Sequence, residues 1–199
     1  MLRKQKKTFS ILRQKWGDKV KIIIDPGHGG KDNGGGTNSL FKEKDWVLQV
    51  SLYQAKLLRD AGYEVFLSRI TDEYISPKER VKRVKNSGAD ICLCNHVNAG
   101  GGTGFECYHS IFAPPTWGRY VVEQIKHSDI GLREPAIKTR RLDTAKDYYF
   151  MHRDTGRVQT LIVEYGFGDN PRDAQKLDRN WKEYAKLVID GTINYLEAV

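Results

Sequence analysis

Segments that have the pattern of buried β-strands alternate with segments of helical periodicity along this chain. Residues 20–24 form a β-branched run that ends at Asp25-Pro26-Gly27, as a buried strand stopped by a turn would. In residues 43–61 apolar side chains recur at helical spacing, and Gly62 stands where a helix C-cap belongs. Alternation of this kind predicts a mainly parallel sheet with helices packed on its faces.

The remaining segments extend the same pattern over the 199 residues of the chain. Strands are predicted at residues 63–67, 91–95, 105–111 and 160–163, and helices at 76–87, 117–127 and 181–196. The polar stretch at residues 128–157 is difficult to assign, and a strand is expected near 148–151. The prediction is a single α/β domain with a mostly parallel, twisted sheet of about six strands and helices on both faces.

The charge of the chain favours a polyanionic partner. With 33 Lys and Arg against 25 Asp and Glu, the net charge is +8, which suits nucleic acid, anionic lipid or a phosphate-rich cell wall. The positive residues are scattered, so charge alone does not choose among these. Because no apolar stretch approaches the roughly 18 residues of a membrane helix, we expect no membrane insertion.

The N-terminal segment is basic but does not resemble a secretory signal. Residues 1–18 lack the apolar region that follows the basic start of a signal peptide. We therefore expect a basic tail at 1–18, one folded domain at 19–199, and synthesis in the cytoplasm. The three cysteines, Cys92, Cys94 and Cys107, are too few for a disulfide framework and are predicted to be buried thiols.

Three ionisable residues follow predicted strands at the carboxyl end. His28 comes just after the first strand, His96 ends the third, and Glu164 ends the strand at 160–163. In open α/β sheets, ligands bind beyond this edge, so these side chains are expected to meet there. Glu43 opens the first predicted helix and can reach the same edge, although a carboxylate is favoured at a helix start for its own sake.

Two imidazoles and one carboxylate make up the ligand set of catalytic zinc in several hydrolases. His28, Glu43 and His96 are therefore the predicted ligands of one zinc ion, and Glu164 is the predicted proton carrier. An acid that continues an apolar run is costly to bury without a role or partner. Ordinary structural roles are expected for the other histidines, and packing roles for Cys92 and Cys94. Because these two cysteines lie on the same side of the predicted strand as His96, a cysteine-containing metal site is the alternative.

The order of short motifs along the chain resembles a known family, the zinc N-acetylmuramoyl-L-alanine amidases of the amidase-3 type. The opening motif is Ile22-Ile23-Ile24-Asp25-Pro26-Gly27-His28-Gly29-Gly30 followed by Lys42-Glu43-Lys44-Asp45. Further motifs follow in order: Ser68-Arg69, Glu79-Arg80-Val81, His96-Val97-Asn98-Ala99, Gly104-Phe105-Glu106 and Val163-Glu164-Tyr165-Gly166-Phe167. The similarity extends from about residue 19 to the C-terminus.

This resemblance implies a zinc site at His28, Glu43 and His96 and a catalytic carboxylate at Glu164. It implies cleavage of the amide bond between the muramic acid lactyl group and L-alanine of peptidoglycan. We expect a monomer without a nucleic-acid partner that reaches the wall after lysis, through a holin or by non-classical release. Its positive charge would hold it to anionic wall polymers. Two alternatives remain: a zinc peptidase that cuts within the stem peptide, and a non-catalytic basic binder of cell wall or nucleic acid, which leaves Glu164 without a purpose.

Overall fold

A computed structural model describes residues 20–198, so the predicted basic tail at 1–18 lies outside the described residues. The strands are β1 Lys21–Pro26, β2 Glu64–Leu67, β3 Ile91–Asn98, β4 Phe105–His109, β5 Leu132–Lys138, β6 Arg141–Asp143, β7 Lys146–Asp147 and β8 Gln159–Phe167. The helices are α1 Glu43–Asp60, α2 Pro77–Asn86, α3 Thr116–Ile125, α4 Phe150–Arg153 and α5 Pro171–Ala198.

Six of the strands form one sheet in the order β2-β1-β3-β8-β4-β5. Neighbouring strands are parallel throughout, except that β4 runs antiparallel to β8. The short strands β6 and β7 form a separate antiparallel pair. The predicted α/β domain with a mostly parallel sheet of about six strands is confirmed.

Alternate side chains of the central strands enter two hydrophobic cores, one on each face of the sheet. On one face Ile24 and Leu93 belong to the larger core, which α1, α3 and α5 complete. On the other face Ile23 belongs to a smaller core with side chains of α2 and α4, among them Val84 and Met151. Helices therefore cover both faces, and the near-continuous apolar runs of β1 and β3 are explained by burial on both sides.

The predicted starts and ends of the first two helices agree with the structure. The side chain of Ser76 accepts a hydrogen bond from the Glu79 backbone amide, and Pro77 occupies the first turn of α2. After α1, Gly62 adopts a φ of +93°, a conformation that glycine reaches at little cost. None of the helices within residues 20–198 combines the length and hydropathy needed to cross a membrane.

One later prediction was wrong, and two elements were missed. Residues 148–151 do not form a strand, because Phe150 begins the short helix α4, and the polar stretch contains the unpredicted strand β5 instead. Strand β5 lies at the edge of the sheet, where Pro135 and charged residues interrupt any apolar alternation. The predicted helix at 181–196 is present as the second part of α5, which also contains an unpredicted first part from Pro171 and has non-helical backbone angles at Asn180 between the two.

Candidate metal centre and active site

The structure brings the three predicted metal ligands together. His28 Nε2 lies 3.1 Å from Glu43 Oε1, and His96 Nδ1 lies 3.2 Å from the same oxygen. One potential ligand atom from each residue lies within 4.8 Å of the other two. Among residues 20–198, His28, Glu43 and His96 make up the one group of three or more side chains that meets this criterion.

His28 is placed by the turn that follows β1. Its backbone φ is +57°, in the left-handed region, which costs a non-glycine residue about 1 kcal/mol or more and has to be held by its surroundings. Arg80 Nη2 supplies part of that support with a 2.7 Å hydrogen bond to the His28 carbonyl. Asp32 Oδ2 lies 2.9 Å from His28 Nδ1, and this contact leaves Nε2 for Glu43.

Two buried arginines hold the turn in place. Arg69 Nη2 donates to the carbonyl of Gly27 at 2.7 Å, and its Nε donates to that of Pro26 at 3.1 Å. Arg80 Nη1 donates to the Pro26 carbonyl and to Asp25 Oδ1, each at 2.7 Å. Sequence reasoning assigned no role to either arginine, because each acts through contacts more than 40 positions away along the chain.

Glu43 is held in an orientation suited to ligation. Its side chain is almost fully buried, Oε1 accepts a 2.9 Å hydrogen bond from the Val97 amide, and Oε2 accepts one of 2.9 Å from the Gly36 amide. Burial by itself raises the pKa of Glu43, but hydrogen bonds and charge from His28 and His96 outweigh it and hold the pKa well below its usual range. The carboxylate is therefore ionised, as metal ligation requires.

A glycine makes room for the second imidazole. A Cβ atom at Gly27 would lie 2.2 Å from His96 Cε1, so only glycine lets the ring pack against this turn. The aromatic rings of His28 and His96 meet edge to face, with their centroids 5.0 Å apart. The close approach of the turn to β3 therefore sets how near the two imidazoles can come.

The donor set fits a divalent transition metal. In a tetrahedral zinc site with bonds of about 2.0–2.1 Å, neighbouring ligand atoms lie about 3.3 Å apart. The separations of 3.1 Å and 3.2 Å from Glu43 to the two imidazoles are close to that value. Asp32 provides the carboxylate that commonly accepts a hydrogen bond from the non-ligating nitrogen of a metal-bound histidine.

Glu164 lies beside this cluster on β8, where its Cα is the register partner of His96 on one side and of Glu106 on the other. Its Oε2 is buried and has no hydrogen-bond partner. Burial, together with the nearby carboxylates of Glu43 and Glu106, raises the pKa of Glu164 well above its ordinary value. A carboxyl group with a raised pKa is suited to accepting and donating a proton during a reaction.

A cavity of about 280 Å³ opens next to the cluster. Its walls include His28, His96 and Glu164, together with the aromatic rings of Tyr149 and Phe150. Sequence reasoning missed these two aromatic residues, because they precede and begin a helix that was predicted as a strand. An aromatic wall next to a few polar groups is typical of small-molecule sites.

The other histidines and the cysteines stay apart from the cluster. His109 Nδ1 lies 2.9 Å from two backbone carbonyl oxygens, and His127 is exposed. His152 is largely buried, neither ring nitrogen has a hydrogen-bond partner, and burial lowers its pKa to about 4. All three cysteines are buried free thiols, as predicted, including Cys92 and Cys94, whose sulfur atoms lie 3.6 Å apart.

The comparisons with known proteins agree on the family of this chain. Residues 22–194 match the family model described as N-acetylmuramoyl-L-alanine amidase. The N-acetylmuramoyl-L-alanine amidase CwlM of Bacillus licheniformis is 40% identical over 79% of this chain, and the chain covers 60% of that protein. The sporulation-specific N-acetylmuramoyl-L-alanine amidase of Bacillus subtilis is 36% identical over 89% of this chain and 67% of its own length.

A solved structure agrees with the fold. The N-acetylmuramoyl-L-alanine amidase from Clostridium difficile 630 superposes with a TM-score of 0.74 at 27% identity, covering 90% of this chain and 98% of that one. The sheet order, the strand-end residues and the family match therefore lead to one assignment. The chain belongs to the N-acetylmuramoyl-L-alanine amidase family of the amidase-3 type.

Proposed function

We propose that the chain hydrolyses the amide bond between the muramic acid lactyl group and L-alanine of peptidoglycan, with one zinc ion as cofactor. The observation that carries the proposal is the cluster of His28, Glu43 and His96 beside Glu164, whose buried Oε2 has no hydrogen-bond partner. The family match supports the substrate, since the relatives at 36% and 40% identity are named for this activity.

His28, Glu43 and His96 would hold the ion, and Asp32 would orient the first of them. A bound zinc ion supplies Lewis acidity, which lowers the pKa of water and polarises an amide carbonyl. The negative charge of Glu43, fixed by the Val97 and Gly36 amides, offsets part of the charge of the cation.

Glu164 is assigned the proton transfers. In its ionised form it takes a proton from the attacking water, whose oxygen joins the lactyl carbonyl carbon. It then gives that proton to the nitrogen of L-alanine as the carbon–nitrogen bond breaks. The products are a free lactyl carboxyl group and a peptide with a free amino terminus, so the atoms balance and Glu164 returns to its starting state.

Digestion of purified peptidoglycan by the zinc-loaded protein tests the proposal. We expect mass spectrometry to find glycan strands with free lactyl carboxyl groups and peptides that begin with a free L-alanine amino group. Cuts within the stem peptide would support the zinc peptidase alternative instead. A chelator should abolish the digestion and added zinc should restore it, and undiminished digestion by the metal-free protein would exclude the role of the metal.

A further inference from the structure

Two cations of the edge strand β5 converge on one buried carboxylate of β4. Arg133 Nε lies 3.3 Å from Glu106 Oε2, and Lys138 Nζ forms an ion pair with the same oxygen. In the part of the chain that the structure describes, Glu106 is the one carboxylate within 4.0 Å of either cation. Two positive charges therefore meet one negative charge.

Glu106 serves this pair as a fixed anchor. Only 1% of the residue is exposed, and Oε1 accepts hydrogen bonds from Asn98 Nδ2 at 2.8 Å and from the Tyr108 hydroxyl at 2.9 Å. Both oxygens of Glu106 are therefore engaged by groups of the protein. The side chains of Arg133 and Lys138 are 40% and 18% exposed, so their donors can still reach one.

The sheet order places this cation pair next to the active site. Strand β8 lies between β3 and β4, so Glu164 has His96 on one side and Glu106 on the other, each as its register partner. The cavity with the aromatic wall reaches His28 and His96 on one side of Glu164, and its Tyr149 packs against Tyr108 of β4 with the ring centroids 5.0 Å apart. The surplus positive charge lies toward β5, on the far side of Glu164.

A substrate cleaved between the cluster and Glu164 has to extend in both directions from the scissile amide. For the proposed substrate the two halves differ in charge. The sugar half is uncharged, because the lactyl carboxyl is the group engaged in the amide, whereas the peptide half carries free carboxylates. Two cations that share one carboxylate as their ion-pair partner favour the anionic half.

We infer that Arg133 and Lys138, held by Glu106, bind a carboxylate of the stem peptide beyond L-alanine, so that the peptide lies over β4 and β5. The muramic acid sugar then enters the cavity on the His28 and His96 side of Glu164. This inference rests on the proposed function and adds to it the direction in which the substrate lies. Arg133, which is the more exposed cation, is a specificity-determining residue in this arrangement.

A pair of synthetic muramoyl-peptides tests the inference. The two substrates are identical except that the residue after L-alanine carries a free carboxylate in one and a carboxamide in the other. For the zinc-loaded wild type we expect kcat/KM to be about tenfold higher for the carboxylate, a difference of about 1.4 kcal/mol. Arg133→Gln should remove this preference by raising KM for the carboxylate substrate alone, with kcat almost unchanged.

Control measurements separate the possible outcomes. Lys146→Gln, at an exposed position of β7, removes an equal charge and should keep the preference. Arg133→Lys should keep part of it, since the charge remains. Calorimetry should show that Arg133→Gln lowers the affinity of the metal-loaded protein for the released peptide alone. This binding measurement does not depend on turnover. Equal cleavage of both substrates by the wild type would overturn the inference and leave the proposed function standing, whereas cleavage of neither would overturn both.

Discussion

His96 and Glu164 are register partners on the adjacent parallel strands β3 and β8. Side chains at paired positions of parallel strands project from the same face, so the imidazole and the carboxyl group are brought side by side by backbone hydrogen bonds. The same face carries Glu106, the antiparallel partner of Glu164 on β4. Three residues with different tasks thus form one row across the sheet, and sites built on strands hold their geometry more tightly than sites on loops.

The first prediction concerns the proton carrier. Glu164→Gln keeps the shape of the side chain but cannot accept a proton from water, so kcat should fall by about 10² or more. Zinc content should stay at the wild-type level, because Glu164 is not among the three candidate ligands. Peptidoglycan turnover and elemental analysis on the same preparation measure both quantities.

Glu183→Gln serves as the control for this variant, since Glu183 is an exposed residue of α5 and the substitution makes the same chemical change. It should leave turnover and zinc content unaltered. Near-normal turnover in Glu164→Gln would remove this residue from the mechanism, and lost zinc would show that it contributes to the metal site.

The second prediction concerns the residue that orients His28. Asp32 Oδ2 lies 2.9 Å from His28 Nδ1, and loss of such a hydrogen bond to a metal-bound histidine weakens metal affinity by about 10–100-fold. We therefore expect Asp32→Ala to bind zinc that much more weakly, as measured by competition with a chromophoric chelator. At saturating zinc most of the activity should return, because the three ligands themselves are intact.

Asp60→Ala is the matched control, since Asp60 pairs with the exposed Lys56 on α1. Its zinc affinity should equal that of the wild type. If Asp32→Ala bound zinc as tightly as Asp60→Ala does, the contact between Asp32 and His28 would have no part in holding the metal.

The third prediction concerns the buried ion pair beneath the turn. Arg80 and Asp25 lie 2.7 Å apart with almost no exposure, and removing one partner of such a pair costs about 3–5 kcal/mol because the other charge is left buried. Arg80→Met should therefore lower the free energy of unfolding by about that amount in urea titrations. It should also weaken zinc binding, because Arg80 supports the carbonyl of His28.

Two further variants check the reason for the loss. Arg83→Met removes a half-exposed arginine of the same helix, whose pair with Glu73 is at the surface, and should cost less than about 1 kcal/mol. Adding Asp25→Asn to Arg80→Met removes the uncompensated charge and should recover part of the stability. Equal losses in Arg80→Met and Arg83→Met would contradict the assignment.

Sequence alone could predict the parts of the site that depend on strand ends. His28, His96 and Glu164 each follow an apolar run, and the rule that parallel strands share one carboxyl edge is enough to bring them together. Glu43 was placed by the helix start that follows the glycine-rich loop. In each case the sequence signal is local, and general rules for α/β folds predict the topology that brings these residues close together.

The parts that escaped prediction depend on long-range contacts. Arg69 and Arg80 are ordinary charged residues in sequence, and only the folded turn shows that their guanidinium groups satisfy buried carbonyls. Strand β5 lacks an apolar period because it lies at an edge, so Arg133 and Lys138 could not be assigned to a position beside Glu106. Apolar periodicity indicates which side chains of a segment pack into the hydrophobic core, and Arg133 and Lys138 do not pack there.

The final prediction concerns His152, whose ring nitrogens lack hydrogen-bond partners. Burial lowers its pKa from 6.5 to about 4, with partial opposition from Asp147. Below pH 6.5 this histidine is protonated in the unfolded chain, whereas in the folded protein it stays neutral until about pH 4. Because the unfolded state binds more protons in this window, the free energy of unfolding falls as the pH drops through it. Between pH 7 and pH 5 the loss due to His152 should be about 2 kcal/mol. In His152→Leu, urea titrations over this range should show a stability curve flatter than that of the wild type by this amount, whereas replacement of the exposed His127 by leucine should leave the wild-type slope unchanged. Parallel curves for His152→Leu and the wild type would show that His152 takes up its proton without unfolding.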